Sequence, residues 1–106
     1  MRRHMTRFAP ENFEHNLTIV RAVGALAQKK GVTPAQLAIA WVAHLGAHVV
    51  PLPGSSKASR TLENLGAAGV ALTDAEAAEL TRIMETHEVK GGRYNDAMEK
   101  HMHLWG

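Results

Sequence analysis

From Pro10 onward apolar residues recur at helical spacing. Phe13, Leu17, Val20, Gly24 and Ala27 fall at steps of three or four, and Ile19, Val23 and Leu26 widen that stripe. Lys29 and Lys30 in the last turn suit the helix dipole, and Gly31 follows as the residue that ends the helix. The pattern predicts a helix over about residues 11–30, after an irregular arm at 1–9. Thr33 then supplies an N-cap and Pro34 a first helical residue. The body that follows, Leu37-Ala38-Ile39-Ala40-Trp41-Val42-Ala43-His44-Leu45, is apolar nearly all round up to Gly46. A helix of that kind, over 34–45, needs neighbours on several sides.

His48 to Leu52 is β-branched and apolar, and is the one convincing strand candidate in the chain. A lone strand leaves its ladder groups unpaired, at a cost of about 1–3 kcal/mol for each group that is buried. The segment must therefore pair with another chain, be hydrated at the surface, or take another conformation. Ser55 or Ser56 is placed to cap a third helix over roughly 57–67, ended by Gly66 or Gly69. Thr73 and Glu76 have the spacing of a capping box for a fourth helix reaching about Glu85, with Leu72 as staple onto Ala77. That helix is expected to bury Ala77, Leu80, Ile83 and Met84. Lys90-Gly91-Gly92-Arg93-Tyr94 reads as a loop, and Asn95 as the cap of a short helix over 96–104 with Met98, Met102 and Trp105 on its apolar face. No repeat or low-complexity segment interrupts this order. The expected fold is mainly α, a compact helical bundle over residues 10–106 with at most one strand at about 48–52.

Composition narrows the class. The chain has 106 residues, the size of one domain, with 45% hydrophobic and 21% charged residues. A net charge of +2 does not argue for nucleic acid, although Arg2, Arg3 and Arg7 cluster at the start. The absence of cysteine excludes disulfides and thiolate metal sites. No apolar run approaches the ~20 residues that span a bilayer, and no apolar h-region follows the first arginines. A cytoplasmic protein without nucleic-acid or membrane partners is expected.

Candidate chemistry concentrates in one stretch. His101 and His103 are two apart and so diverge on a helix; no metal site is expected. His44 and His48 flank a turn, and His15 and His87 are isolated, so all four read as ordinary surface histidines. The carboxylates show no pairing that suggests general acid–base work, and nothing marks Ser55 or Ser56 as a nucleophile. Gly54-Ser55-Ser56-Lys57 and the following Arg60, Glu63 and Asn64 are different. A Gly/Ser turn running into a helix N-terminus is a place for a phosphate. Lys57 and Arg60 lie three apart, on one side of the helix. The guanidinium offers a planar fork for phosphate or an aromatic ring, while Glu63 and Asn64 can accept from and donate to an adenine.

Several segments, in order, resemble the C-terminal third of aldo-keto reductases. They are Thr33-Pro34-Ala35-Gln36-Leu37-Ala38-Ile39-Ala40-Trp41, Val50-Pro51-Leu52-Pro53-Gly54-Ser55-Ser56, Leu62-Glu63-Asn64-Leu65-Gly66-Ala67 and Leu72-Thr73. Arg7-Phe8 with Glu11-Asn12-Phe13, and Gly92-Arg93-Tyr94, are similar to bacterial members. The resemblance implies a (β/α)8-barrel parent, an oxidoreductase that reduces carbonyls with NADPH. It further implies that Ser55, Ser56, Lys57 and Arg60 occupy phosphate-side positions of an NADP site, and Glu63 and Asn64 adenine-side positions. Gly54 stands where many members carry Lys, which leaves the phosphate to Lys57 and Arg60. The family's catalytic Asp, Tyr, Lys and His fall on early strands that have no counterpart here, and Tyr94 does not match them. A truncated barrel, inactive alone, is therefore expected. Two alternatives stay open. One is a self-association module, a homodimer through the apolar helix 34–45, since large exposed apolar patches mark interaction surfaces. The other is the C-terminal part of a split reductase with a separate N-terminal barrel part.

Overall fold

The computed structural model describes residues 5–92 and 94–102. The expectations for Arg2, Arg3, Arg93, His103 and Trp105 lie outside the described residues. Five helices follow one another: α1 (Pro10–Lys30), α2 (Pro34–His44), α3 (Ala58–Leu65), α4 (Asp74–Thr86) and α5 (Asp96–Met102), with 3-10 turns at Thr6–Phe8 and Gly66–Gly69. The turn at Thr6–Phe8 lies within the arm expected to be irregular. No strand occurs among the described residues.

The helix ends follow local chemistry. Gly31 closes α1 at φ 72, the left-handed conformation glycine adopts freely, and its N–H returns to Ala27 and Gln28 carbonyls. Both α2 and α4 begin with reciprocal capping boxes. Thr73 Oγ1 accepts from the Glu76 N–H at 3.2 Å, and the Thr73 N–H donates to Glu76 Oε1 at 3.2 Å. Thr33 and Gln36 form the same arrangement at the start of α2. Asn95 Oδ1 accepts from the Met98 N–H at 2.9 Å, as its capping position predicts. The third helix departs from expectation. Its N-cap is Lys57, not Ser55 or Ser56, and no side chain caps it. Ser55 Oγ instead accepts from the Lys57 N–H and donates to the Lys57 carbonyl, which closes the turn one step earlier.

The core is small and lies where α1 meets α2 and α4. Ile19, Val23 and Ala27 from α1 pack with Leu37 from α2 and with Leu80 and Ile83 from α4, and Leu26, Trp41, Leu72 and Met84 close around them. The buried row of α1 is thus one side of the stripe expected. Ile19, Val23 and Ala27 are four apart and share a face, while Phe13 and Val20 stay 43% and 56% exposed. Phe13 instead meets the Phe8 ring, at a centroid distance of 6.5 Å. On α2, Leu37 and Ala40 are buried and Trp41 is half-buried. The indole N–H of Trp41 donates to Thr81 Oγ1 at 3.2 Å, which ties α2 to α4 with its polar atom satisfied.

Polar contacts hold what the core does not reach. Lys30 Nζ lies 2.8 Å from Glu76 Oε2 and 2.9 Å from Oε1, joining the end of α1 to the start of α4. At the other end of α1, residues 88–92 are strapped against the helix. Asn16 receives the Lys90 N–H on Oδ1 and donates Nδ2 to the Lys90 carbonyl, both at 2.8 Å. Thr6 Oγ1 accepts from the Gly92 N–H at 3.0 Å, and His15 Nε2 meets the Glu88 carbonyl at 2.8 Å. Gly91, at φ 84, passes so close that a Cβ there would stand 2.6 Å from the Arg7 nitrogen.

The strand candidate pairs with nothing among the described residues: it opens with a turn and then runs exposed along the surface. The Val49 N–H returns to the Gly46 carbonyl at 3.0 Å, a tight turn. Pro51 and Pro53 have no N–H to offer a ladder. Val50 and Leu52 are 83% and 97% exposed. Exposure is high overall: the accessible surface is 7899 Å2, against about 5,800 Å2 for a folded monomer of 11.5 kDa. The radius of gyration is 15.0 Å, against about 13 Å for a compact domain of this length.

Two expectations follow. Leu80→Ala removes the largest contribution of α4 to a core with few others, and is expected to cost about 2–5 kcal/mol in urea unfolding, enough to leave little folded protein. The Lys30 ammonium, and next the Thr73 N–H, hold the Glu76 carboxyl below its ordinary range. A lowered folded value means that Glu76 stabilises the fold above the unfolded carboxyl's range and loses that effect as pH falls. The melting temperature of Glu76→Gln should therefore lie below that of the native chain near neutral pH. The gap should close as pH drops below about 4.

Candidate functional site

The loop 53–57 leaves the α2 side of the molecule and turns into α3, and a cavity of about 660 Å3 opens between them. Its α2 wall is Ala35 and Ile39, and its α3 wall is Arg60 and Asn64. Pro53, Gly54, Ser55, Ser56 and Lys57 form the floor between the walls. Six of the seven residues singled out from the sequence, Gly54, Ser55, Ser56, Lys57, Arg60 and Asn64, thus line one space. Glu63 does not line it.

Each side chain arrives there for a local reason. Ser55 Oγ is committed to the turn: beyond its two bonds with Lys57 it accepts from Thr61 Oγ1 at 3.1 Å. It therefore shapes the loop. Among the described residues no hydrogen bond or ion pair engages the Lys57 ammonium or the Arg60 guanidinium. Two unpaired cations beside one cavity raise its local positive potential, an effect salt screens because the groups are exposed. The first turn of α3 adds the positive end of a helix dipole. Unlike α2 and α4 it has no side-chain cap, so its N–H groups have no side-chain acceptor of their own. Cations, uncapped N–H groups and Asn64 above an apolar wall suit an anion joined to a flat ring. The residues present therefore fit a nucleotide phosphate with its base. Among the described residues no group of three or more His, Cys, Asp or Glu side chains gathers as a metal site. His44 lies 3.2 Å from Asp74, and His87 Nδ1 lies 2.8 Å from the Ile83 carbonyl.

The α2 wall was not anticipated from sequence. Ala35 and Ile39 read there only as part of an apolar helix. The signal that could have pointed to this end of α2 is Thr33-x-x-Gln36, a capping box. It marks a rigid helix start next to the loop.

The cavity is thus bounded by two helices and by the Pro53-Gly54-Ser55-Ser56 turn. Comparison with known proteins assigns the family. The profile of the Aldo/keto reductase family matches residues 1–85. Probable aldo-keto reductase 1 of Glycine max is 39% identical over 93 residues, covering 88% of this chain and 27% of the relative. No solved structure matches. The chain belongs to the aldo/keto reductase family, and it spans about a quarter of the length of that curated relative. Helix α5 and the strap 88–92 lie beyond the family match. No helix among the described residues is long and apolar enough to cross a membrane.

If Lys57 and Arg60 make the cavity an anion site, Lys57→Ala and Arg60→Ala should each weaken binding of 2′-AMP several-fold. That is the low end for charge-assisted contacts because both cations are exposed. Isothermal titration at two ionic strengths checks this, and the native affinity should fall as salt rises.

Proposed function

We propose that these 106 residues carry the adenine and 2′-phosphate end of an NADP site and perform no carbonyl reduction by themselves. The cavity between α2 and α3, with Lys57 and Arg60 unengaged beside an uncapped helix start, carries this reading. In this assignment Lys57, Arg60 and the α3 N–H groups take the phosphate. Gly54 and Ser56 let the loop approach it, Ser55 holds the loop's shape, and Asn64 meets the adenine. Glu63 stands outside the cavity lining and acts through its carbonyl, which accepts from Gln36 Nε2 at 2.9 Å. The nicotinamide end, where hydride would move, has no assigned residue in this segment.

A second reading concerns partners, and the exposed apolar face favours it. Ile39, Ala43, Pro51 and Leu65 line a groove of about 310 Å3, and Val42 and Leu52 extend it. The accessible surface exceeds that of a compact monomer by roughly 2,000 Å2, more than the ~800 Å2 that each partner buries in a standard protein–protein interface. In isolation the segment covers this face with a second copy, in a dimer through α2. Within a complete reductase the remaining barrel elements cover it.

The purified chain should give no NADPH-dependent reduction of a test aldehyde, and measurable turnover would overturn the inactive assignment. Fluorescence titration should favour NADPH over NADH, because only the former carries the 2′-phosphate; equal affinity would remove the phosphate assignment. Sedimentation at micromolar concentration should report a dimer that Leu52→Asp and Ile39→Asp weaken, and a stable native monomer would count against self-association.

A further inference from the structure

Helix α3 holds one wall of the cavity, yet it has little to hold it in place. None of its residues is buried, and Leu62 and Leu65 are 69% and 66% exposed. No side chain caps its start. Hydrophobic burial therefore does not fix its position. Among the described residues, one side-chain hydrogen bond joins it to α2. Gln36 Nε2 donates to the Glu63 carbonyl at 2.9 Å, in the last turn of α3, where helix carbonyls lack intrahelical partners. The orientation of that amide is set from the other side, because Gln36 Oε1 accepts the Thr33 N–H at 3.2 Å in the capping box. Gly66 provides a second, independent observation. A Cβ at this position would stand 2.5 Å from Gln36 Nε2, so the chain keeps open the space the amide occupies.

We propose that Gln36 is a positioning residue for the cavity: its amide locks the end of α3 to the start of α2, and so sets the spacing of the Arg60–Asn64 wall from the Ala35–Ile39 wall. Gln36 lies between Ala35 and Ile39 in sequence, and its acceptor, Glu63, adjoins Asn64. The amide therefore stands at the junction of the two walls. The polar bond does what burial does elsewhere in the molecule, and it does so directionally, since one amide satisfies a donor on α2 and an acceptor on α3. Its effect on ligand rests on the reading of the cavity as an anion site; its effect on α3 does not.

Gln36→Glu separates the two roles. The carboxylate still accepts from the Thr33 N–H, but it has no N–H to give to the Glu63 carbonyl. Amide hydrogen exchange on the 106-residue chain is the primary measurement. Exchange across 58–66 should rise about three- to tenfold, the scale of one net hydrogen bond. Exchange across 19–27 and 74–84 should not change, and the Thr33 amide should stay protected. Gln36→Ala should expose the Thr33 amide as well. Gly66→Ala should loosen 58–66 in the same way, and adding it to Gln36→Ala should bring no further loss, because the atom it strikes is gone. The dissociation constant for 2′-AMP should rise in Gln36→Glu with Lys57 and Arg60 intact. Native exchange at 58–66 in both Gln36→Glu and Gly66→Ala would overturn the proposal. So would an equal rise over α1 and α4, which would make Gln36 a cap for the whole fold. If Gln36→Glu fails to fold, Gly66→Ala decides. If the native chain does not bind 2′-AMP, the anion reading of the cavity fails, while the exchange measurements still decide the role of Gln36.

Discussion

Everything in this chain depends on a row of three α1 side chains, Ile19, Val23 and Ala27, held between Leu37 and the pair Leu80 and Ile83. These residues are spaced four apart on α1 and three apart on α4, so two short runs of turns, with Leu37 of α2 between them, create the main packed cluster. Leu37 and Leu80 are the largest side chains fully withdrawn from water. A core of this size cannot position elements at the edges of the molecule. The edges are positioned by directional polar contacts instead: Asn16 and Thr6 on the strap 88–92, Lys30 on Glu76, and Gln36 on the end of α3.

This division explains what the sequence disclosed and what it hid. Helix limits were legible because they are local: Thr33 and Thr73 as caps, Pro34 at a first turn, Gly31 after the last. The face that α4 buries was legible too, since Ala77, Leu80 and Ile83 leave little choice of stripe. On α1 apolar residues occupy more of the circumference than one neighbour can cover, so periodicity alone placed Phe13 and Val20 with the buried row. The cap of α3 misled for a different reason. Two serines stand where caps are common, but Ser55 finds a closer pair of backbone groups within its own turn at Lys57. The polar edge contacts were not legible at all. Asn16 to Lys90 and Thr6 to Gly92 are separated by most of the chain, and an Asn or Thr carries no mark of a distant partner.

The candidate site shows the same split. Gly54, Ser55, Ser56, Lys57, Arg60 and Asn64 were found from one contiguous stretch, because a turn followed by a helix brings neighbours in sequence into one space. Glu63 was grouped with them by helical spacing, but it lies one position from Asn64, about 100° round the helix. Its backbone carbonyl accepts the hydrogen bond from the neighbouring helix. The other wall belongs to α2, and only the tertiary fold brings Ala35 and Ile39 to it.

The large surface then bears on how such a cavity keeps its shape. A wall that is held by burial shifts whenever the surrounding packing shifts, and this chain has little packing to spare. A wall held by one amide between a capping box and a helix end depends only on groups within a few residues of it. The cavity nevertheless adjoins the apolar face that continues to Pro51 and Leu52, because Ile39, Pro53 and Asn64 line both. Those shared residues are where a cover over the groove meets the wall of the cavity. Lys57 and Arg60 are not among them, so both cations stand on the cavity side, away from the groove.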